Sequence, residues 1–206
     1  MAQFGFYFDS SRCTGCKTCE LACKDYNDLD TNILFRKVYD FEGGEWKQGQ
    51  DGTWTTTSFV YNVSAACNFC DTPACVAVCP VEATTKDEET GLVQVDSAIC
   101  IGCGRCAAAC PYEVPKLDAE LKIAKRCDGC IARVRESKKP ICVEACPLRA
   151  LEFDEVEKLR SKYGTTNQIP PLPSPSLTHP NLVIKPSPAL KSPAIATGII
   201  ANPKEI

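Results

Sequence analysis

Apolar and polar residues alternate in several short runs of the chain, and these runs predict strands. In FGFYF, residues 4–8, phenylalanine occupies every second position, which is the period-two pattern of a strand. The runs TGLVQVD, residues 90–96, and RALEF, residues 149–153, predict two further short strands. We therefore expect an α+β fold in which short strands are joined by short helices.

A denser run of aromatic and β-branched residues occupies positions 33–64, ILFRKVYDFEGGEWKQGQDGTWTTTSFVYNVS. Such residues favour strands, and the glycines Gly43, Gly44 and Gly52 supply turns between them. We interpret residues 33–64 as a small β insertion within the fold.

One longer helix is predicted between Asp154 and Gly164. Asp154 with Glu157 resembles a capping box, and a glycine can end a helix. We expect this helix to serve packing rather than function. Its apolar face contains Val156, Leu159 and Tyr163.

The composition changes at residue 165, where a proline-rich tail begins. The stretch PPLPSPSLTHPNLVIKPSPALKSP contains proline too often for a helix or a central strand. One interpretation is a disordered polyproline II tail. The other is an extended C-terminal arm, residues 165–206, that lies along a partner. The apolar patches LVI and GII favour the arm, since low hydrophobicity is the signature of disorder.

All sixteen cysteines of the chain fall into four groups of four. In every group the fourth cysteine comes four residues after the third, so one helical turn can carry both on one face. Lys24 follows group one, whereas a proline follows each of the others. Group one is Cys13, Cys16, Cys19 and Cys23; group two is Cys67, Cys70, Cys75 and Cys79; group three is Cys100, Cys103, Cys106 and Cys110; group four is Cys127, Cys130, Cys142 and Cys146.

Length and charge narrow the possible functions. The chain has 206 residues, of which 44% are hydrophobic, and this is enough for one large domain or two small ones. The net charge is −3 and the charges are interspersed. Because no basic stripe is present, nucleic acid is not an expected partner.

The N-terminal residues MAQFGFYFDSSRC have neither the charged and apolar regions nor the cleavage site of a signal peptide. No apolar run reaches the roughly 18 residues of a membrane span, and no Arg-Arg pair indicates twin-arginine export. We expect that the chain has no membrane span of its own. Any attachment to a membrane would then come through a partner.

The cysteine spacing is typical of iron-sulfur ligation. Bacterial ferredoxins use C-x2-C-x2-C-x3-C-P, in which the fourth cysteine binds the other cluster of a pair. Groups one and three match this cysteine spacing, while the second gap holds four residues in group two and eleven in group four. We therefore predict four 4Fe-4S clusters in two ferredoxin-like domains related by a pseudo-twofold.

Zinc and disulfides are the two alternatives to iron-sulfur clusters. Pairs of cysteines with the C-x2-C spacing also build four-thiolate zinc sites, but zinc ribbons use pairs rather than a triplet with a fourth cysteine. Disulfides are typical of secreted proteins, so the missing signal peptide disfavours them. A zinc-binding interaction module stays as a distant alternative.

The sequence alone does not state which groups share clusters. If the fourth cysteines are exchanged as in ferredoxins, groups two and three form one unit, residues 65–119. Groups one and four then form the other, residues 1–32 with 120–164. The ligand sets would be a first set of Cys13, Cys16, Cys19 and Cys146; a second set of Cys67, Cys70, Cys75 and Cys110; a third set of Cys79, Cys100, Cys103 and Cys106; and a fourth set of Cys23, Cys127, Cys130 and Cys142.

Several cations lie near the cysteine groups in the sequence. They are Lys24 after group one, Arg105 inside group three, and Lys125, Arg126 and Arg133 around group four. We predict that such cations raise or order the reduction potentials of the clusters, because local charge sets these potentials. The alternative is that they are solvated surface charges.

No feature of the sequence predicts a substrate site. The single histidine, His179, lies in the proline-rich tail, and no GxSxG, P-loop or dinucleotide motif is present. A row of clusters without a reaction centre conducts electrons, while the chemistry takes place in another subunit. We expect that the chain is no enzyme by itself.

Four stretches of the chain carry a wider resemblance: FDSSRCTGCKTCELACKDY, CIGCGRCAAACPY, CDGC followed by KKPICVEACPLRAL, and the ending TGIIANPKEI. Together they resemble the iron-sulfur B subunits of anaerobic dimethyl sulfoxide reductases. The resemblance covers nearly the whole chain. Its cysteine motifs are common to the electron-transfer subunits of molybdopterin oxidoreductases. The first stretch and the ending are typical of a narrower group within them.

The resemblance implies a place in a heterotrimer of anaerobic respiration. Electrons would pass from a quinol-oxidising membrane anchor to a molybdopterin catalytic subunit that reduces dimethyl sulfoxide or related S-oxides and N-oxides. The chain would be peripheral on the bacterial cytoplasmic membrane through these partners. The β insertion and the arm would be the surfaces that contact them.

The resemblance also supports the pairing of group one with group four. Related nitrate reductase subunits replace one cysteine of the third group by tryptophan and hold a three-iron cluster there, whereas Cys100, Cys103, Cys106 and Cys110 are all present here. This favours four full cubanes. An alternative function is the same relay for polysulfide, tetrathionate, selenate or formate, and a further one is a free-standing ferredoxin.

Overall fold

The computed structural model describes residues 2–206, and within them it contains twelve strands and six α-helices. This mixture of short elements confirms the predicted α+β class. The strands are β1 Phe4–Asp9, β2 Lys37–Gly43, β3 Trp46–Gln48, β4 Trp54–Thr56, β5 Phe59–Ala65, β6 Thr84–Lys86, β7 Val93–Val95, β8 Lys116–Asp118, β9 Ile123–Lys125, β10 Leu151–Glu155, β11 Leu182–Lys185 and β12 Ile199–Ile200. The helices are α1 Thr18–Tyr26, α2 Ala74–Ala77, α3 Arg105–Ala109, α4 Ile131–Arg135, α5 Ile141–Ala145 and α6 Val156–Tyr163.

A central three-stranded sheet has the order β10-β1-β11 and joins the two ends of the chain. Strand β1 pairs antiparallel with β10, so that Phe6 lies opposite Phe153, and parallel with β11 from the tail. The rings of these two phenylalanines lie 4.8 Å apart in the core. On the other side of the sheet, Tyr7 stacks on Tyr163 of α6 with ring centroids 3.7 Å apart. Both faces of β1 are therefore buried, which is why the run FGFYF is apolar throughout.

The segment at residues 33–64 contains four strands, as its composition predicts. Strands β2 and β5 pair antiparallel, and β12 from the tail completes a second sheet of order β12-β2-β5. Strands β3 and β4 form a separate hairpin on which Trp46 and Trp54 are exposed. The domain boundaries at residues 32 and 65 stay a prediction.

The proline-rich tail packs against its own chain. Three 3-10 turns, Pro175–Leu177, Pro188–Lys191 and Ile195–Thr197, alternate with β11 and β12. Leu182, Val183 and Ile184, the LVI patch that we expected to contact a partner, are buried in the core. That part of the arm interpretation was wrong, because the apolar patch completes the central sheet of the chain itself.

Two element boundaries differ from their predictions. The helix α6 is present, but its N-cap is Glu155 without a side-chain cap, so the predicted capping box at Asp154 was wrong. Asp154 belongs to β10, and its carboxylate accepts a hydrogen bond from the backbone of Glu155 at 2.7 Å. Strand β10 begins at Leu151 because Arg149 has a positive φ of 50°.

Among the helices of residues 2–206, none combines the length and the apolar character that a bilayer crossing requires.

Candidate metal centres

The first set of cysteines lines one cavity. Cys13, Cys16 and Cys19 of group one meet Cys146 of group four there. Apolar side chains from the central sheet, among them Phe8, also line the cavity. The structure thus brings together the four thiols that the exchange of fourth cysteines predicts, although Cys146 is far away in the sequence.

The second set of cysteines lines another cavity. Cys67, Cys70 and Cys75 of group two meet Cys110 of group three, and the guanidinium of Arg126 faces the same space. Two cavities with the same composition, three thiols of one group and one thiol of another, support the exchange independently.

The fourth set is buried, and its thiols influence one another. Burial raises the pKa of Cys23 to about 12, and the charges of Cys142 and Cys130 add to this effect. Burial also raises the pKa of Cys127 well above its usual range, with Cys23 and Cys142 among the contributing charges. These interactions place the four thiols of the predicted fourth set near one another.

The third set lies closer to the surface. Cys106 is buried, Cys79 and Cys100 are half-buried and Cys103 is exposed. Burial raises the pKa of Cys106, and the charge of Cys100 contributes. The backbone amide of Ala124 donates a hydrogen bond to the Cys100 sulfur at 3.4 Å.

Helix packing agrees with the pairing of the groups. Helix α1 carries Cys19 and Cys23 on one buried face, as predicted, and it packs against α5, which carries Cys142. Helix α2 packs against α3 in the same way. In α3, Cys106 lies inside the helix whereas Cys110 is its C-cap. Groups one and four are therefore neighbours, as are groups two and three.

Charges between thiols of different sets show which sets adjoin. After burial, the charge of Cys142 contributes to the raised pKa of Cys19, which joins the first set to the fourth. The charge of Cys67 contributes in the same way to the raised pKa of Cys127, which joins the fourth set to the second. The charge of Cys75 contributes to the raised pKa of Cys106, which joins the second set to the third. These charge interactions link the first set with the fourth, the fourth with the second, and the second with the third.

The third residue of each Cys-x-x-Cys loop has a left-handed backbone. Gly15, Gly102 and Gly129 have φ values of 69°, 63° and 74°, a region that glycine enters without strain. In group two the same position is Phe69, with φ of 44°. From the sequence, no role was assigned to Phe69. The feature that could have drawn attention to it is that the other three loops have glycine at this position.

Of the five cations singled out from the sequence, Arg126 contacts thiols directly. Its Nη2 donates to the Cys67 sulfur at 2.7 Å and its Nη1 donates to the Cys75 sulfur at 3.1 Å. Burial lowers the pKa of Arg126, but the charges of these two thiols outweigh burial, so the net change is upward. Arg126 belongs to group four in sequence, yet its guanidinium serves the second set.

The other four cations behave differently from Arg126. Lys24 donates to the backbone carbonyl of Asp30 at 2.8 Å, and Arg105 is exposed at the start of α3. The remaining two form ion pairs: Lys125 with Asp118 at 2.7 Å, and Arg133 with Glu144 at 2.5 Å. These contacts fit structural or solvated charges rather than direct contacts with the thiols.

A second buried arginine, Arg36, was missed by sequence reasoning. It is 2% exposed, and its pKa is raised by the charges of thiols from groups one and four even though burial lowers it. One feature of the sequence could have indicated it: Arg36 and Lys37 are a single charged pair inside the otherwise apolar run ILFRKVY.

The thiols and their surroundings fit iron-sulfur clusters. All sixteen cysteines are free thiols, and within residues 2–206 no three His, Cys, Asp or Glu side chains are arranged to hold a single metal ion. Buried thiolates need compensating charge, and Arg126 supplies it with two charge-assisted hydrogen bonds to sulfur.

Two family models match the chain. One, a 4Fe-4S dicluster domain, matches residues 58–156, and the other, a 4Fe-4S binding domain, matches residues 10–27. These matches and the sixteen cysteines fit the four predicted 4Fe-4S clusters.

Curated relatives match over the full length. The chain is 52% identical over 206 residues to the B subunit of the anaerobic dimethyl sulfoxide reductase of Haemophilus influenzae, with 100% of both proteins covered. It is 50% identical over 204 residues to the subunit of the same name from Escherichia coli K12, covering 99% and 98% of the two proteins. The B subunit of the polysulfide reductase of Wolinella succinogenes is 33% identical over 193 residues, covering 90% and 95%. The chain is therefore a member of the family of the B subunits of anaerobic dimethyl sulfoxide reductases.

Proposed function

We propose that the chain is the electron-transfer subunit of a dimethyl sulfoxide reductase complex. It receives electrons from a quinol-oxidising membrane anchor and passes them to a molybdopterin catalytic subunit that reduces dimethyl sulfoxide or related S-oxides and N-oxides. The observation that carries the proposal is the pair of four-thiol cavities, each built from three cysteines of one group and one of another.

The ligands that we propose are the four sets of cysteines. When bound, 4Fe-4S clusters accept and release single electrons without other chemistry. The first set is Cys13, Cys16, Cys19 and Cys146; the second is Cys67, Cys70, Cys75 and Cys110; the third is Cys79, Cys100, Cys103 and Cys106; the fourth is Cys23, Cys127, Cys130 and Cys142.

The residues of the chain hold, order and shield these sites. Phe8 and Leu151 keep water from the first set, and Arg126 fixes the sulfurs of Cys67 and Cys75. The charge interactions that link the first set with the fourth, the fourth with the second, and the second with the third support a linear relay in that order. The exposed Cys103 and the exposed Cys16 lie in the two end sets, where a relay meets its partners.

The chain carries no reaction of its own in this proposal. It is peripheral on the bacterial cytoplasmic membrane and is attached there through its partner subunits. The names of the relatives, which are subunits of reductases, support an attachment through partners.

Cluster counting on the intact complex tests the proposal. We expect about sixteen iron and sixteen acid-labile sulfide atoms per chain, since four cubanes contain four of each, and quinol oxidation that depends on added dimethyl sulfoxide. A colourless chain that contains zinc would contradict it.

The ligand sets are tested by two serine variants. Cys146→Ser is expected to alter the same paramagnetic signal as Cys13→Ser, since both belong to the first set. A control variant, Cys130→Ser, alters a different signal. If Cys146→Ser instead changed the signal that Cys130→Ser changes, the exchange of fourth cysteines would be wrong.

A second candidate keeps the relay and changes the terminal substrate. The similarity to the B subunit of a polysulfide reductase over most of both proteins favours polysulfide as that substrate. The catalytic partner then decides the reaction. Quinol oxidation by the complex with polysulfide but not with dimethyl sulfoxide would select this candidate.

A further inference from the structure

Within the described part of the molecule, Arg36 is a buried cation that no carboxylate contact explains. It precedes β2, and its guanidinium lies over the ring of Phe6 at 4.5 Å from the centroid. Its Nη1 donates to the hydroxyl oxygen of Ser64 at 3.1 Å. Among residues 2–206, its Nε and Nη2 find no hydrogen-bond partner.

A buried charge of this kind requires compensation. Taking a guanidinium out of water is costly unless an opposite charge lies near, and buried donors are nearly always paired. A cation–π contact with Phe6 offsets only part of this cost. The compensating charge must therefore come from another source.

Thiols of two different sets interact electrostatically with Arg36. Burial lowers its pKa, but the charges of Cys142, Cys19 and Cys127 raise the pKa by more. On one side the Ser64 hydroxyl forms a bridge, since its oxygen also lies 3.4 Å from the Cys19 sulfur. Cys19 belongs to the first set, whereas Cys142 and Cys127 belong to the fourth.

This position differs from that of Arg126. Arg126 donates two hydrogen bonds directly to sulfurs of one set. Arg36 reaches one set through a hydroxyl and is held electrostatically by both. A charge near two sites acts on both, and the effect is strong because the effective dielectric constant is low in a buried region.

We propose that Arg36 is a positioning residue, the shared internal cation of the first and fourth cysteine sets, and that it raises the reduction potentials of the two clusters they hold. Reduction adds one electron to a cluster and makes it more negative, so a fixed cation that interacts with both sites favours the reduced form of each. This inference rests on the ligand sets proposed above.

Redox titration of the intact complex, followed by electron paramagnetic resonance, tests this role. The signals are first assigned with Cys146→Ser for the first set and Cys130→Ser for the fourth. In Arg36→Met we expect at least a tenfold shift of the reduction equilibrium toward the oxidised form in both clusters, which is 59 mV for a one-electron couple. The clusters of the second and third sets are expected to keep their potentials.

Two further variants control the measurement. Arg135→Met removes an exposed arginine that pairs with Asp87 and is expected to leave all four potentials unchanged. Arg36→Lys keeps the positive charge but displaces it from Ser64. It is expected to shift the reduction equilibria of the same two clusters at least twofold, but by less than Arg36→Met does.

The outcomes separate the possible failures. Four unchanged potentials, or an equal shift of all four, in Arg36→Met would overturn the role of Arg36. If Arg36→Met does not assemble its clusters, Arg36→Lys decides, and four unchanged potentials in that variant overturn the role. Failure of the proposed function would instead appear in the unmodified complex, as missing clusters.

Discussion

Two Cys-x-x-Cys loops with the same spacing have opposite surroundings. In the loop Cys67–Cys70, Phe69 is 0% exposed and the polar Asn68 is buried beside it. In the loop Cys100–Cys103, the apolar Ile101 is 60% exposed. At the position after the first cysteine, polarity is therefore the reverse of burial, since the polar Asn68 is buried and the apolar Ile101 is exposed. The spacing of two cysteines fixes the distance between thiols, and other parts of the chain decide what surrounds them.

The buried loop is covered by two distant segments. Arg126 closes it on the side of the thiols. From the tail, Asn181 donates to the Phe69 carbonyl at 2.9 Å and to Asp71 at 2.7 Å. The exposed loop instead contacts Lys122, whose carbonyl would lie only 2.2 Å from a Cβ at Gly102. Glycine is therefore required in the exposed loop by backbone contact as well as by its φ.

The largest effect that distinguishes the two loops is expected from Arg126→Gln. The change removes a charge that is 6% exposed and leaves two thiolates without it, which costs about 3–5 kcal/mol. We expect a lower thermal unfolding midpoint for the cluster-loaded protein and a more negative potential for the cluster of the second set. Arg126→Lys, which keeps the charge, is the matched control. It is expected to lower both the unfolding midpoint and the potential by less. A potential that does not move would mean that Arg126 serves stability alone.

Phe69→Ala follows in size and tests why a phenylalanine is tolerated at a left-handed position. Its ring packs on Phe6 at 6.0 Å and against Phe153 at 6.5 Å, so its removal leaves a cavity that costs about 3–5 kcal/mol. Thermal unfolding measures this loss. Phe69→Leu keeps most of the volume and is expected to lose less than half as much. Equal losses in both variants would point to the backbone conformation rather than to the cavity.

The sequence predicted those features that depend on local pattern. The strand β1 follows from alternating phenylalanines, and the thiol positions follow from a repeated spacing. The cover of Cys67 by Arg126 and the place of Leu182–Ile184 in the central sheet were not predictable. Both depend on contacts between residues that are far apart in the chain. Such contacts cannot be predicted from residue type or from spacing. Group two carried one local hint, the replacement of glycine by Phe69.

Asn181→Ala is expected to have an intermediate effect and tests the cover from the tail. The side chain is buried, and the change removes the shorter of the two hydrogen bonds to the Phe69 carbonyl, leaving the 3.5 Å one from Lys86 Nζ, which costs about 1–3 kcal/mol. The midpoint of thermal unfolding should fall, and cluster loss on standing in air should accelerate for the second set before the third. Asn32→Ala, at an exposed asparagine, is the control and is expected to change neither. If the third set were lost first in Asn181→Ala, the tail would not be the shield of the buried loop.

The smallest effect is expected from Ile101→Ser in the exposed loop. Its side chain is already in water, and surface substitutions usually change the free energy of unfolding by less than about 0.5 kcal/mol. The midpoint of thermal unfolding and the potential of the third set should therefore stay the same. A polar substitution at the buried Phe69 would be far more costly, because an apolar ring is lost from the core. A loss above about 1 kcal/mol in Ile101→Ser would show that this loop is also packed and would remove the contrast between the two loops.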